Sequence, residues 1–197
     1  EGVETVLGEV KIDGTGRRTL VPAGGRVFSA LEVPANGRTA ALLADAPVHP
    51  SEVFLLAAGA AAPARLTDSN PWFAQMRFAK QEVVKWKARD GLELEGILVR
   101  PLDEQPGRRY PLMLTVHGGP ESHDRNGWRT RYSDAGQFGA AMGYAVFYPN
   151  YRGSTGRGVE FAKSSQGDPA GKEFDDLVDA VDHLVALGLV DPKRVGV

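Results

Sequence analysis

Residues 112–120 read LMLTVHGGP, an apolar run that ends abruptly in His-Gly-Gly-Pro. The continuous apolar run from Pro111 to Val116 predicts a strand that is buried on both faces of its sheet. Glycines directly after such a strand leave backbone N–H groups open to a ligand, because no Cβ stands in the way. Pro120 contributes no N–H group and is expected to stiffen the loop. The stretch therefore predicts a loop that presents backbone donors at the end of a buried strand.

The segments around this loop alternate between strand and helix patterns. Before it, two half-exposed strands are expected to form a hairpin around Asp90-Gly91. The predicted elements are a strand at 82–88, a strand at 92–99, the strand at 111–116, a helix from Trp128 to Met142 ending at Gly143, a buried strand at 144–148, a helix at 172–187 and the start of a third buried strand at 195–197. Strands that alternate with helices in this way predict an α/β fold with a parallel sheet and crossover helices.

Residues 172–187 carry the clearest helical periodicity in the chain. Apolar residues recur there at i, i+3, i+4 and i+7 spacing, and they are Phe174, Leu177, Val178, Val181, Leu184 and Val185. Gly188 stands where a C-cap is expected. The acidic residues of this segment are expected to form a solvated face, and they are Asp175, Asp176, Asp179 and Asp182.

Residues 1–80 have a different pattern, with short strands about ten residues apart. Asp13-Gly14 and Asn36-Gly37 are strong hairpin turns. The strands are expected at 4–12, 27–33, 38–43, 52–57 and, in a shorter form, 64–67. This spacing predicts an antiparallel meander, as in a sandwich or a propeller blade, and the pattern alone does not separate these two.

The composition excludes several classes of partner and site. Acidic and basic residues nearly cancel, at 25 against 23, and no basic stripe marks a nucleic-acid or membrane surface. The absence of cysteine excludes disulfides, thiol catalysis and thiolate metal sites. Neither end resembles a natural terminus, so we expect an internal piece of a longer protein. The compartment is left open, with the cytoplasm slightly favoured over the periplasm or secretion.

The loop at 117–120 has a specific chemical use. Hydrolysis of an ester or amide passes through a tetrahedral oxyanion, and each backbone N–H group aimed at it contributes roughly 3–4 kcal/mol. In α/β-hydrolases one such donor comes from an HGGG-type loop after the third strand. The present order is a hairpin of two strands, a third strand and then the loop. The alternative is a simple turn that ends a strand, with His117 as a buried histidine bonded to backbone.

Three stretches together resemble the prolyl oligopeptidase family of serine peptidases, especially its acylaminoacyl-peptidase and dipeptidyl-aminopeptidase-like members. They are residues 111–120, residues 149–156 (PNYRGSTG) and residues 167–176 (GDPAGKEFDD). The resemblance covers residues 80–197. It implies that residues 81–197 are the N-terminal part of an α/β-hydrolase peptidase domain, and that residues 1–80 are the end of an N-terminal β-propeller.

The resemblance also assigns the site. It implies a Ser-Asp-His triad that lies entirely beyond Val197, so that this chain alone is expected to be inactive. Gly119 is carried over as an oxyanion-hole donor through its backbone N–H, and Gly118 and His117 complete the loop. Tyr151 and Arg152 are expected to border the substrate cleft. The family's propeller screens out large substrates, which makes a short peptide the expected substrate.

Other residue patterns in the chain have competing interpretations. Ser154 superficially matches a nucleophile motif, but Arg152 occupies the first glycine position and no helix follows at once. Arg152 has a structural alternative, an ion pair with an acid of residues 173–176. His123 and Asp124, with Glu121, fit no common zinc spacing. We expect no metal, no cofactor, no nucleic acid and no membrane, and homo-oligomerisation stays open.

Two other functions remain as rivals to a peptidase. The first is an esterase or lipase on the same fold, which would share the oxyanion loop. The second is a non-catalytic propeller–hydrolase binding protein that has lost its serine. Residues 150–154 and the blade-like N-terminus favour the peptidase.

Overall fold

The computed structural model describes residues 2–119 and 121–197, which form two compact units. Unit 1 contains residues 3–76 and 126–128, and unit 2 contains Gly2 and residues 77–125 and 129–197. The stiffening role expected of Pro120 lies outside the described residues. None of the helices in the described part is long and apolar enough to cross a membrane.

Unit 1 is built from two antiparallel sheets. Its strands are β1 (Leu7–Glu9), β2 (Arg18–Val21), β3 (Val27–Glu32), β4 (Thr39–Ala46), β5 (His49–Ala57) and β6 (Ala64–Arg65). The strands β1 and β2 pair with each other, and β3 to β6 form a four-stranded meander in chain order. The predicted meander is therefore present, while the first strand covers only Leu7–Glu9 of the expected 4–12. The described strands of unit 1 form no closed propeller.

Buried and more exposed residues alternate along β4 and β5, and the buried residues form the core of unit 1. Leu42 faces Phe54 across the β4–β5 pair, and both side chains are buried. Glu52 is also buried on this face, where Thr67, Ser69 and Arg65 hydrogen-bond or pair with its carboxylate. Burial alone would raise the pKa of Glu52, but these partners outweigh it and lower the pKa to about 2. Glu52 can therefore stay ionised in the core, because hydrogen bonds and an ion pair compensate for the burial of its carboxylate.

Unit 2 is a five-stranded mixed sheet with helices. Its strands are β7 (Gln81–Lys87), β8 (Glu93–Val99), β9 (Tyr110–Leu114), β10 (Ala145–Asn150) and β11 (Val190–Gly196), and its helices are α1 (Ala135–Ala141), α2 (Val159–Ala162) and α3 (Lys172–Ala186). The order across the sheet is β11-β9-β10-β8-β7. The β9, β10 and β11 strands are parallel, as predicted, and β7 and β8 form the predicted antiparallel hairpin.

Three burial expectations for these strands are wrong. β8 is buried along most of its length, because it pairs with β10 as well as with β7. β9 is fully buried on one face only, with Leu112 and Leu114 inside and Met113 half-buried. β11 is the edge strand, and its residues after Asp191 are exposed.

The helices of unit 2 differ in how well their predicted bounds hold. α3 matches its predicted span and packs Ala180 and Leu184 against the sheet. α1 begins only at Ala135, so the prediction of a helix from Trp128 is wrong over its first half. Asp134 caps α1 by accepting a hydrogen bond from the N–H of Gly136 at 3.1 Å, and Gly143 follows its C-terminus at φ +86°.

Candidate active site

The loop after β9, here called the oxyanion loop (residues 117–124), lies at the carboxyl edge of the parallel strands. Gly118 and Gly119 are exposed there. Gly119 has φ +134°, and a Cβ at this position would come within 2.6 Å of the backbone nitrogen of Glu121. Among the described residues nothing accepts a hydrogen bond from the N–H groups of Gly118 and Gly119. The loop therefore offers backbone donors to solvent or to a ligand, in a conformation that favours glycine.

His117 is half-buried and held by side chains of a neighbouring loop. Its ring stacks on Tyr151 with the centroids 4.7 Å apart, and its Nε2 lies 3.0 Å from the Oγ of Ser154. Its Nδ1 lies 3.2 Å from the carbonyl oxygen of Gly118. The alternative of a histidine bonded only to backbone does not describe this residue.

The neighbouring loop follows β10 and is here called the template loop (residues 150–155). Because β9 and β10 are parallel, both loops leave the sheet at the same edge. Tyr151 is buried and donates a hydrogen bond from its hydroxyl to the carbonyl oxygen of His117 at 2.6 Å. Burial raises the pKa of Tyr151, and the charges of Glu173 and Asp124 raise it further, so that the phenol stays protonated as a donor.

The far end of the oxyanion loop is held by the same neighbour. The carboxamide of Asn150 accepts a hydrogen bond from the N–H of Asp124 at 2.8 Å and donates one to its carbonyl oxygen at 2.9 Å. The N–H of Thr155 donates to the carbonyl oxygen of Ser122 at 2.9 Å. The Oγ1 of Thr155 lies 2.8 Å from the Nδ1 of His123.

Ser154 lacks the surroundings of a nucleophile. It is fully buried, and its hydroxyl donates to the carbonyl oxygen of Tyr151 at 2.6 Å. That hydrogen bond uses its only proton, so the Oγ accepts from the Nε2–H of His117 rather than delivering a proton to it. The serine is an acceptor that anchors the histidine.

Arg152 forms the ion pair that the sequence left open as its structural alternative. Its guanidinium binds Asp176 from Nε at 2.8 Å and from Nη2 at 2.7 Å, and it binds Asp90 from Nη1 at 2.9 Å. The hydrogen bonds that Arg152 donates to Asp176 and Asp90 raise the pKa of Arg152, and Arg152 in turn lowers the pKa of Asp90 to about 2. The expectation that Asp176 belongs to a solvated face is wrong, because this carboxylate is buried against the guanidinium.

His123 and Asp124, which were considered above as a metal-binding pair, have other surroundings and contacts. His123 is partly buried rather than exposed, and burial lowers its pKa, with the positive charge of Arg125 lowering it further. Asp124 forms a salt bridge with Arg129 at 2.5 Å. In residues 2–119 and 121–197, no group of three or more His, Cys, Asp or Glu side chains is placed to hold a metal ion.

Sequence reasoning located the oxyanion loop but missed the partners that hold it. The contacts of Asn150, Ser154 and Thr155 with residues 117–124 were not predicted. The available signal was positional, since polar residues that directly follow two adjacent parallel strands meet at one sheet edge. The class of protein that this fold and loop define is an α/β protein, with backbone donors exposed at the carboxyl ends of its parallel strands.

Known proteins with similar sequences and structures are peptidases. Residues 130–197 match the model of the prolyl oligopeptidase family. The chain is 38% identical over 153 residues to the uncharacterized peptidase YuxL of Bacillus subtilis, covering 77% of this chain and 22% of that protein. It is 34% identical over 139 residues to dipeptidyl aminopeptidase BIII of Pseudoxanthomonas mexicana, covering 68% of this chain and 20% of that protein.

The fold agrees with these sequence matches. The acylaminoacyl peptidase of Pyrococcus horikoshii superposes with a TM-score of 0.78 at 24% identity, over 92% of this chain and 28% of that one. The resemblance to the prolyl oligopeptidase family that the motifs predicted is confirmed by the family match over residues 130–197. The chain spans about a fifth of the length of these curated relatives.

Proposed function

We propose that this chain is part of a serine peptidase that hydrolyses short peptides through an acyl-enzyme intermediate. The observation that carries the proposal is Gly119, whose exposed N–H group has no partner among the described residues and whose φ is +134°. It follows a parallel strand at the sheet edge where α/β proteins bind ligands. The names of the peptidase relatives support the substrate class.

The proposed reaction assigns this chain one half of the oxyanion hole. A serine Oγ, supplied by a segment outside these 197 residues, attacks the scissile carbonyl while a histidine takes its proton. The carbonyl oxygen becomes an oxyanion, which accepts a hydrogen bond from the N–H of Gly119. Collapse of this intermediate breaks the C–N bond, the amine leaves with the proton, and water then hydrolyses the acyl ester. Gly118 and His117 are proposed as the other residues of this oxyanion loop.

The rest of the proposal concerns domains and the cleft. Residues 1–80 are proposed to be the end of a β-propeller, which the four-stranded antiparallel meander of β3 to β6 supports. Residues 81–197 are proposed to be the N-terminal part of the peptidase domain. Tyr151 and Arg152 are proposed to support the border of the substrate cleft from beneath its surface, because both are buried and their polar groups bind within the protein.

Labelling with a fluorophosphonate tests where the nucleophile lies. The intact protein that carries this sequence should be labelled at one serine, and the 197-residue chain should not. Rates of the intact protein on peptide anilides and aryl esters then separate a peptidase from an esterase. Labelling of Ser154 would overturn the proposal, and an intact protein that is neither labelled nor active would favour the non-catalytic alternative.

Substitution of Gly119 by alanine tests the oxyanion donor. The added Cβ would force the loop away from the Glu121 nitrogen, so we expect kcat of the intact protein to fall about 100- to 1,000-fold. Gly107→Ala is the matched control, because Gly107 also has positive φ (+75°) but lies in the turn before β9, at the opposite edge of the sheet. Equal losses of kcat in the two variants would refute a specific role for Gly119.

A further inference from the structure

We propose that the template loop positions the oxyanion loop, so that Asn150, Tyr151 and Ser154 set the direction of the Gly119 N–H without touching the substrate. This inference rests on the proposed function, because its effect on rate is transmitted through Gly119. All three side chains are buried, with exposed fractions of 3%, 6% and 0% in that order. They are therefore positioning residues rather than catalytic ones.

The carboxyl-terminal half of the oxyanion loop is held by what is here called the far anchor, a side chain that forms hydrogen bonds like those of a neighbouring strand. The carboxamide of Asn150 offers one acceptor and one donor to the backbone of a single residue, Asp124. This is the pairing that a peptide group of a neighbouring strand would supply. The N–H of Thr155 adds a bond to Ser122 in the same direction. The carboxyl-terminal half of the oxyanion loop is thus held beside the template loop by hydrogen bonds of the type that join neighbouring strands.

The near anchor holds both the backbone and the ring of His117. The hydroxyl of Tyr151 binds the carbonyl oxygen of His117, and its ring stacks on the imidazole. Ser154 accepts from the imidazole Nε2–H, since its own proton is committed to the carbonyl oxygen of Tyr151. The peptide plane between His117 and Gly118 is fixed as a result, because Tyr151 holds its oxygen.

The residues between the two anchors depend on them for their orientation. Gly118 and Gly119 are exposed, lack side chains, and donate no hydrogen bond from their N–H groups to the described residues. A glycine pair of this kind has many accessible conformations. A displacement of about 1 Å in a positioned catalytic group costs on the order of 100-fold in rate. Loosening either anchor should therefore lower the rate of the chemical step more than it weakens substrate binding.

Tyr151→Phe in the intact protein tests the near anchor with the loss of a single hydroxyl. We expect kcat on a peptide anilide to fall about 10- to 100-fold while KM stays within about threefold. Ser154→Ala, which removes the acceptor for His117, should show the same split between kcat and KM. Tyr110→Phe is the matched control, because its side chain is also buried and its hydroxyl accepts a hydrogen bond from the N–H of Gln105 at 2.6 Å, at the start of β9 and away from the oxyanion loop. That variant should keep the wild-type kcat.

Amide hydrogen exchange over residues 117–124 supplies a readout that needs no activity. Exchange there should become faster in Tyr151→Phe and Ser154→Ala and stay unchanged in Tyr110→Phe. Wild-type kcat in both Tyr151→Phe and Ser154→Ala, or an equal loss in Tyr110→Phe, would overturn the inference. If the wild-type protein is inactive but exchange rises as described, the proposed function fails and the positioning contact stands. If the enzyme is active and exchange is unchanged, the positioning contact fails alone.

Discussion

At the scale of single residues, Arg152 forms ion pairs with two carboxylates whose surroundings differ. Asp176 is fully buried in α3, whereas the Asp90 side chain, in the β7–β8 turn, is 38% exposed. Breaking a buried pair leaves a charge without compensation, and water partly replaces a lost partner at an exposed position. We therefore expect the loss of Asp176 to destabilise the protein more than the loss of Asp90.

We expect Asp176→Asn to lower the free energy of unfolding by about 3–5 kcal/mol, and Asp90→Asn by about 1 kcal/mol or less. Urea denaturation of the two variants at neutral pH measures both values. The pKa of Asp90 is lowered to about 2, so its stabilising effect is complete above its ordinary pKa and is lost as the pH falls towards 2. The difference between wild type and Asp90→Asn should shrink over that range, and a difference that stays as large at pH 2 as at pH 7 would contradict the ion pair.

At the scale of elements, the two main helices show which sequence signals are sufficient. The apolar periodicity of α3 predicted its span, although Phe174 is exposed and the buried positions include Asp176. α1 has no such apolar periodicity, because its buried residues are the small residues Gly136, Gly139 and Ala140. A Cβ on Gly139 would come within 2.8 Å of the Val146 Cγ2, so close packing on β10 requires that glycine. A helix that packs through glycine gives little periodic signal, which explains its wrong predicted start.

The turn before α3 contains a residue in a conformation that its side chain disfavours. Ala170 has φ +58°, and its N–H donates to the carboxylate of Glu173 at 2.7 Å. Ala170→Gly should therefore raise the free energy of unfolding by about 1 kcal/mol. Ala186→Gly, an exposed position at the other end of α3 with ordinary helical geometry, should lower it by about 0.5–1 kcal/mol. Denaturant midpoints that move in the same direction in both variants would contradict strain at Ala170.

At the scale of the whole molecule, the sheet of unit 2 ends in an exposed strand. β11 pairs with β9 on one side only, and Val195 and Val197 are 37% and 93% exposed. An exposed edge strand is a template for pairing with another chain, and Val195 is an apolar position of this edge that carries no charge to oppose it. The 197-residue chain should therefore associate with itself as its concentration rises.

Val195→Lys should reduce this association, because a lysine on an edge strand opposes pairing with another strand. Val159→Lys, at an exposed position of α2, changes the net charge by the same amount away from the edge. Light scattering over a concentration series compares the two variants with the wild type. An equal reduction in both would indicate that charge, and not the edge strand, controls association.

Much of the architecture could be predicted from local patterns in the sequence. The parallel strands β9, β10 and β11, the hairpin of β7 and β8 and the helix α3 follow from apolar runs, turn dipeptides and periodicity. Each of these signals is carried by neighbouring residues, so a single sequence is enough to reveal it. The placement of glycines after β9 is a local signal of the same type, and it predicted the loop with free backbone donors that follows this strand.

The contacts that hold that loop were decided only by the tertiary structure. Asn150 and Asp124 are 26 positions apart, and His117 and Ser154 are 37 apart. Asp90 meets Arg152 across 62 positions. Periodicity reports which side of an element is apolar, but the partner of a polar side chain depends on which strands lie side by side. The sequence by itself therefore determined the loop and its backbone donors, and the adjacency of β9 and β10 decided which side chains orient them.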